Sequence, residues 1–360
     1  MWLDSLQMVS ATTGWATLST SNPNDNSARQ LGRTTDGGRT WTLVTPPAPK
    51  ATLDGGIVVL KAIDARRAWL VAASPENAGG TTVVFRTVDA GRTWQRSAPI
   101  NANQPVGIDV IGQRGWLLES LGAAMGSNPV RVYRTTDGGL RWSLLAQSQA
   151  FGHPSANRTD SLPLSCDKVG IAVSSARTGW IAAWCNVGYL ILVTRDGGEH
   201  WASQQLPIPQ SVCEQDGCEA SEPQFAGRTT FLSLGDYPDR AVLFVSIDAG
   251  RRWRTVLMPR RAGSYPRLRF FGQSDGIAVS AGSQGEVGPT FYLTSDGGLT
   301  WTAVPQGRHF GKGGASFDFV SPTTGFAWLL PGINAASPPP KVYRTSDSGR
   351  TWTSFMPRLG

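Results

Sequence analysis

Charge is scarce in this chain of 360 residues. Only 16% are Asp, Glu, Lys or Arg, against roughly 25% in an average soluble protein. Histidine occurs three times and methionine five. Long apolar runs are missing too, and nothing approaches the roughly 18 residues that suggest a membrane span. The opening MWLDSLQM has neither a basic segment nor an extended apolar core, so it does not read as a secretion signal. An exported protein would have its leader outside this sequence. The net charge of +7 arises without any Lys/Arg run longer than two residues. A scattered excess of this kind describes a mildly basic surface rather than a nucleic-acid footprint. His153, His200 and His309 show no ligand spacing, and no CxxC pair occurs, so neither a metal nor a cofactor is expected.

The four cysteines divide into two pairs. Cys166 and Cys185 flank two apolar runs joined by a turn near residues 176–178. A hairpin pairing Ala172 with Gly179 places those two cysteines opposite one another. Cys213 and Cys218 bracket the short loop EQDG. Two disulfides with no thiol left over fit an oxidising, extracytoplasmic compartment.

What the sequence has in quantity is glycine (42), proline (24) and tryptophan (14), the composition of many short strands and turns. One phrase recurs seven times: RTTDGGRTW from 33, RTVDAGRTW from 86, RTTDGGLRW from 134, VTRDGGEHW from 193, VSIDAGRRW from 245, LTSDGGLTW from 293 and RTSDSGRTW from 344. Its aspartates are Asp36, Asp89, Asp137, Asp196, Asp248, Asp296 and Asp347; its tryptophans are Trp41, Trp94, Trp142, Trp201, Trp253, Trp301 and Trp352. The mean spacing of about 52 residues lies in the range of repeat architectures. Upstream of each phrase stands a second strand-like landmark: GWATLS, AWLVAAS, GWLLES, GWIAAW, GIAVSA and GFAWLL, with TTFLSL in the fifth unit. Each unit therefore reads as strand A, a tight turn, strand B, a variable loop, strand C, the Asp-Gly turn and strand D.

The phrase has a mechanical purpose. The aspartate accepts backbone N–H groups of the turn, and the glycine supplies a positive φ. The indole covers the hairpin, and the leading Thr or Ser is a β-former with a hydroxyl for local bonding.

These residues resemble the Asp-box, or bacterial neuraminidase repeat, over nearly the whole chain. With the Gly-Trp strand, the unit is most similar to the photosystem II assembly-factor propellers of bacteria. The resemblance implies an all-β, seven-bladed propeller in one domain, 1–360, with blades at about 1–44, 57–97, 105–146, 165–205, 222–257, 265–304 and 315–356. It implies that the Asp-boxes are structural hairpins remote from any ligand. Because all seven units look complete, closure is expected by packing of the last blade on the first, without a shared strand.

A–B and C–D turns emerge on one face and the longer B–C and D–A connections on the other. Long, irregular loops such as 21–32, 146–163, 207–223 and 305–314 make that second face the expected binding surface. Counting back from each A–B turn gives an inner column of Gln7, Lys61, Asp109, Ala172, Gln224, Arg269 and Asp318. Period-2 alternation sends it toward a central channel, with Lys61, Asp109, Arg269 and Asp318 as its charges. Arg251, Arg252, Arg254, Arg260, Arg261, Arg267 and Arg269 crowd the junction of units five and six, a candidate docking patch for an acidic peptide or glycan. Assembly-factor relatives imply a client protein held on such a surface.

Catalysis finds less support. Sialidase chemistry needs an arginine in a Phe/Tyr-Arg-Ile-Pro motif before the first Asp-box, and none is present. A glycosidase needs two carboxylates facing across a cleft, but Asp109 and Asp318 belong to distant units. His153 and His309 keep a lyase open. GKGG at 311 lacks P-loop spacing. The expectation is a monomeric, non-catalytic binding or assembly protein with a protein or glycan partner, the alternative being a carbohydrate-active enzyme on the same face.

Overall fold

The structure is a computed structural model. It describes every residue except 1, 20–28, 48–57, 74–79, 102–103, 123–126, 149–161, 187, 210–211, 213–217, 237–239, 260–265, 281–288, 306–314 and 330–339. Among the described residues the regular structure is entirely β.

Strands β1 (Trp2–Met8), β2 (Gly14–Ser19), β3 (Gln30–Thr34) and β4 (Thr40–Leu43) form an antiparallel meander. A second sheet holds β5 (Val58–Ala62), β6 (Ala68–Ala73), β7 (Thr81–Thr87) and β8 (Gln95–Arg96), with β9 (Ile100–Asn101) against β7. A third comprises β10 (Pro105–Ile111), β11 (Arg114–Ser120), β12 (Val130–Thr135) and β13 (Ser143–Gln147). The fourth, of nine strands, joins two meanders. These are β14 (Asp167–Val173), β15 (Gly179–Trp184), β16 (Leu190–Thr194) and β17 (Ala202–Ser203), then β19 (Gln224–Ala226), β20 (Thr229–Asp236), β21 (Arg240–Ser246) and β22 (Arg254–Leu257). The link is β18 (Glu219–Ala220), which pairs with both β15 and β20. A fifth sheet contains β23 (Arg267–Phe270), β24 (Gly276–Val279), β25 (Phe291–Thr294) and β26 (Thr302–Val304). The sixth contains β27 (Ala315–Phe319), β28 (Gly325–Leu329), β29 (Val342–Thr345) and β30 (Thr353–Phe355). The last strand, β31 (Arg358–Leu359), returns to β4. The architecture is that of a β-propeller.

Burial follows strand position. The second strand of a meander has a neighbour on both edges, and β2 and β6 are buried at every residue. That is why GWATLS and AWLVAA read as unbroken apolar runs. The outermost β4 buries only Trp41.

The chain divides into two compact units: Met1–Asn101, Gly282–Phe291 and Ala303–Gly360; and Ala102–Ala281 with Tyr292–Thr302. In the first, one core gathers Leu6, Leu18, Trp41, Phe326 and Trp328, and another Trp15, Leu31, Leu70 and Phe85. In the second, Trp116 packs with Val132, Ile171 and Ile181, and Trp180 with Leu232 and Phe244. Indoles from successive meanders meet edge-on: Trp15 with Trp94, Trp116 with Trp201 and Trp180 with Trp253.

Two expectations need correction. The C terminus does share a strand with the first sheet: β31 runs parallel to β4, with Arg358 N–H donating to Arg39 (2.9 Å) and Gly360 N–H to Trp41 (3.1 Å). The outer edge of β4 offers unpaired backbone groups, and the chain end covers them. In the β14–β15 hairpin, Ala172 pairs with Trp180, not Gly179. A bulge between Lys168 and Gly170 then shifts the register, so Asp167 faces Trp184. The shift brings Cys166 and Cys185 into their disulfide, with Cα atoms 4.5 Å apart. Cys218 is also disulfide-bonded, while its expected partner Cys213 lies outside the described residues.

Candidate functional site

The recurring Asp turn is built for rigidity. In the first copy the Thr34 hydroxyl donates to Asp36 (2.9 Å) and accepts from Gly38 N–H (3.0 Å). Asp36 in turn accepts Arg39 N–H (3.0 Å), Thr40 N–H (2.9 Å) and the Thr40 hydroxyl (2.6 Å). Gly37 and Gly38 both have left-handed φ, 77° and 88°, which explains the doubled glycine. Ala90, Ala249 and Ser348 accept the same strain at the first of these positions. The indole closes the turn: Trp41, Trp142, Trp201, Trp301 and Trp352 each donate to the carbonyl of the turn's last glycine. Trp94 instead reaches Val44 (2.8 Å). Each turn is tied to the A–B turn of its own meander, as in Gly37 N–H to Thr12 and Gly138 N–H to Gln113, both 2.8 Å. The two short turns therefore share one end of the meander.

These bonds favour the ionised carboxylate. The Thr93 hydroxyl holds Asp89, and the Thr300 hydroxyl holds Asp296, each at about 2. Asp196, taking a bond from His200 Nδ1 (2.7 Å), also lies well below the usual carboxylate range despite partial burial. In the first copy the Asp36 carboxylate and the Thr34 hydroxyl are consumed within the turn.

The inner column is committed as well. The Gln7 amide donates to Leu60 O (2.6 Å) and accepts Ala62 N–H (2.8 Å), bracketing Lys61. Gln224 does the same around Arg269, through Leu268 O and Phe270 N–H. Asp109 accepts Val173 N–H (2.8 Å) and Asp318 accepts Met8 N–H (2.6 Å). The physical need is plain. The first strand of a meander has one edge without a partner strand, and side chains from the preceding meander satisfy it. Sequence reasoning found the column and missed this latch; the signal was the recurrence of Gln and Asp, which can reach a neighbouring backbone.

The arginines predicted as one patch fall on two sheets. Arg251 and Arg252 lie in the β21–β22 turn and Arg254 on β22, while Arg267 and Arg269 stand on β23, all exposed. Arg260, Arg261, His153, His309 and most of the long loops lie outside the described residues.

Sequence reasoning also missed Lys168. It is 2% exposed, and its Nζ donates to the carbonyls of Asn128 (2.8 Å), Pro163 (2.7 Å) and Ser165 (2.8 Å), with Leu164 at 3.3 Å. Burial pushes its ammonium down to about 8, with Asp167 opposing, so it is still protonated at neutral pH. The cage ties segment 162–166 to β14 beside the disulfide.

A further missed feature is a cavity of about 190 Å³ where the β10–β11 and β14–β15 turns approach, lined by Arg114, Trp116, Arg134 and Val173 among others. It opens at the short-turn end, opposite the loops expected to carry the site.

No known family profile and no curated protein matches the chain. Solved structures do resemble it. YCF48 bound to D1 peptide aligns with a TM-score of 0.58 and 16% identity, covering 96% of this chain and 95% of that one. The GH74 xyloglucanase from Xanthomonas campestris aligns at 0.62 and 15% identity, this chain spanning 55% of it. An ulvan lyase aligns at 0.58 and 9% identity over 98% and 96% of the two chains. At these identities the likeness establishes the β-propeller fold.

Proposed function

We propose that this chain is a seven-bladed Asp-box propeller that acts outside the cytoplasm as a non-catalytic binding or assembly protein. The nine-stranded sheet counts as two blades, β14–β17 and β19–β22, each with the same Asp turn between its third and fourth strands as the rest. The observation that carries the binding role is the commitment of the inner carboxylates. Asp109 and Asp318 accept backbone N–H groups, so they serve as latches rather than as an acid–base pair. Exposed cations gather on β22, β23 and the β21–β22 turn: Arg251, Arg252, Arg254, Arg267 and Arg269. That surface suits an acidic protein segment or an acidic glycan. The propeller of similar length bound to a peptide, YCF48, supports the protein-client reading. The Cys166–Cys185 disulfide supports an oxidising compartment, and no helix among the described residues is long and apolar enough to cross a membrane.

The rival reading is a carbohydrate-active enzyme, favoured by the full-length likeness to an ulvan lyase. Peptide and glycan arrays combined with a polysaccharide turnover screen separate the two. The binding role predicts capture of acidic peptides that is lost in Arg267→Glu/Arg269→Glu and in Arg260→Glu/Arg261→Glu, with the fold intact. Turnover abolished by His153→Ala or His309→Ala makes the protein an enzyme instead.

A further inference from the structure

The cavity between the β10–β12 meander and the β14–β15 turn has a consistent chemistry. Arg114 and Trp116 are two residues apart on β11 and so lie on one face of the sheet. Trp116 pairs across the strands with Arg134, and Ile111 with Arg114. Together these side chains form one wall, and Val173, Ser175 and Ala176 supply the other. Two guanidinium groups therefore stand over an apolar floor. The Ser175 oxygen accepts Arg177 N–H (3.2 Å) and Thr178 N–H (3.0 Å), leaving its proton to donate.

Arg134 is the odd member of its column. Arg33, Arg86 and Arg344, which precede the same Thr in other repeats, each stack on the aromatic residue paired with them: Trp15 at 5.7 Å, Trp69 at 5.8 Å and Phe326 at 5.9 Å. Arg33 also donates to Ala65 O (3.1 Å). In the following meander the column position is Val193, and Arg195, two residues on, stacks over Trp180 at 5.9 Å and bonds to the carbonyls of Ala249 and Gly250, both at 3.1 Å. Arg134 is half-buried, yet among the described residues its guanidinium meets no ring, carboxylate or carbonyl. Its donors are open to the water of the cavity, and an anion bound there replaces that water through charge-assisted bonds.

We infer that this cavity is a binding site for a small organic carboxylate carrying an apolar group, its carboxylate held by Arg134 and Arg114 and its apolar body against Trp116, Ile111 and Val173. The volume lies below the roughly 300–1,000 Å³ of a drug-sized site, so the ligand is of fragment size. The carboxylate can belong to a free acid or to the end of a peptide chain. This site is separate from the exposed arginines of β22 and β23 and stands independently of the function proposed above.

Phenylacetate, its neutral isostere phenylacetamide, and a short peptide ending in Phe, with free or amidated C terminus, are titrated by calorimetry and saturation-transfer NMR. Saturable phenylacetate binding is expected, weakened about tenfold or more in the amide and in Arg134→Met, since each removes a charge-assisted bond. Arg114→Met, at an exposed position, gives the same loss should Arg134→Met unfold. Arg267→Glu leaves binding unchanged. Competition by the free-acid peptide but not the amidated one assigns the carboxylate to a chain terminus; binding of phenylacetate alone assigns it to a free acid. Absence of saturable phenylacetate binding, equal binding of the amide, or full binding by Arg114→Met overturns the inference.

Discussion

Replacing Lys168 with methionine isolates the caged ammonium, because the two side chains are similar in length and volume. Three carbonyl oxygens, those of Asn128, Pro163 and Ser165, lie within 2.7–2.8 Å of Nζ, one for each ammonium proton. Leu164 O at 3.3 Å shares one of them. The site is 2% exposed, so methionine leaves Asn128 O and Ser165 O without a donor, while Pro163 O keeps the Ser148 hydroxyl at 3.2 Å. A buried acceptor deprived of its partner costs about 1–3 kcal/mol. Taking the lower half of that range for these two, the expected loss is about 2–4 kcal/mol. That is a large share of the roughly 5–15 kcal/mol of a typical domain. Equilibrium urea denaturation of wild type and Lys168→Met under oxidising conditions measures it, provided the m-value is unchanged. A loss below about 1 kcal/mol would refute the reasoning, since it would mean that the carbonyls find equivalent partners without the lysine.

Three further outcomes are expected. Asp137→Ala removes the acceptor for the Thr135 hydroxyl (2.8 Å), Leu140 N–H and Arg141 N–H (both 3.0 Å); allowing for solvent screening it lowers stability by about 1–2 kcal/mol, while partner capture per folded molecule, read by pull-down, stays the same. Folded-state carboxyl pKa values of about 2 at Asp89 and Asp296 lie below the unfolded value near 3.8, so their contribution is complete above that value and disappears as pH falls toward 2. Melting followed by circular dichroism should drop across that window, and a flat profile there contradicts the assignment. The Cys166–Cys185 bond closes a loop of sequence separation 19, for which chain entropy predicts about 3 kcal/mol; Cys166→Ser/Cys185→Ser should lose stability on that scale in denaturant titrations, and an unchanged midpoint removes the claim.

The repeats, their strand order and the role of the Asp turn were legible in the sequence because each rests on local chemistry. An Asp placed two residues after a Thr, with a glycine carrying a positive φ behind it, closes a turn whatever surrounds it. Alternation likewise marked the inner column, since side-chain direction in a strand has period two. The register of β14 on β15 was not legible: a single bulge at Lys168 shifts it, and bulges answer to packing. Nor was the shared strand at the C terminus, because β31 is two residues long and is stabilised only by the open edge of β4.

The sequence by itself determined a chain of short β-meanders stapled by aspartate and roofed by tryptophan, because the aspartate's bonds close within a few residues of it. Only the tertiary structure decided what the remaining polar groups do. Whether Gln7 or Asp318 faces water or a neighbouring backbone, and whether Arg134 stacks on an indole or stands over a cavity, depends on how one sheet is placed against the next. Spacing along the chain carries no measure of that distance.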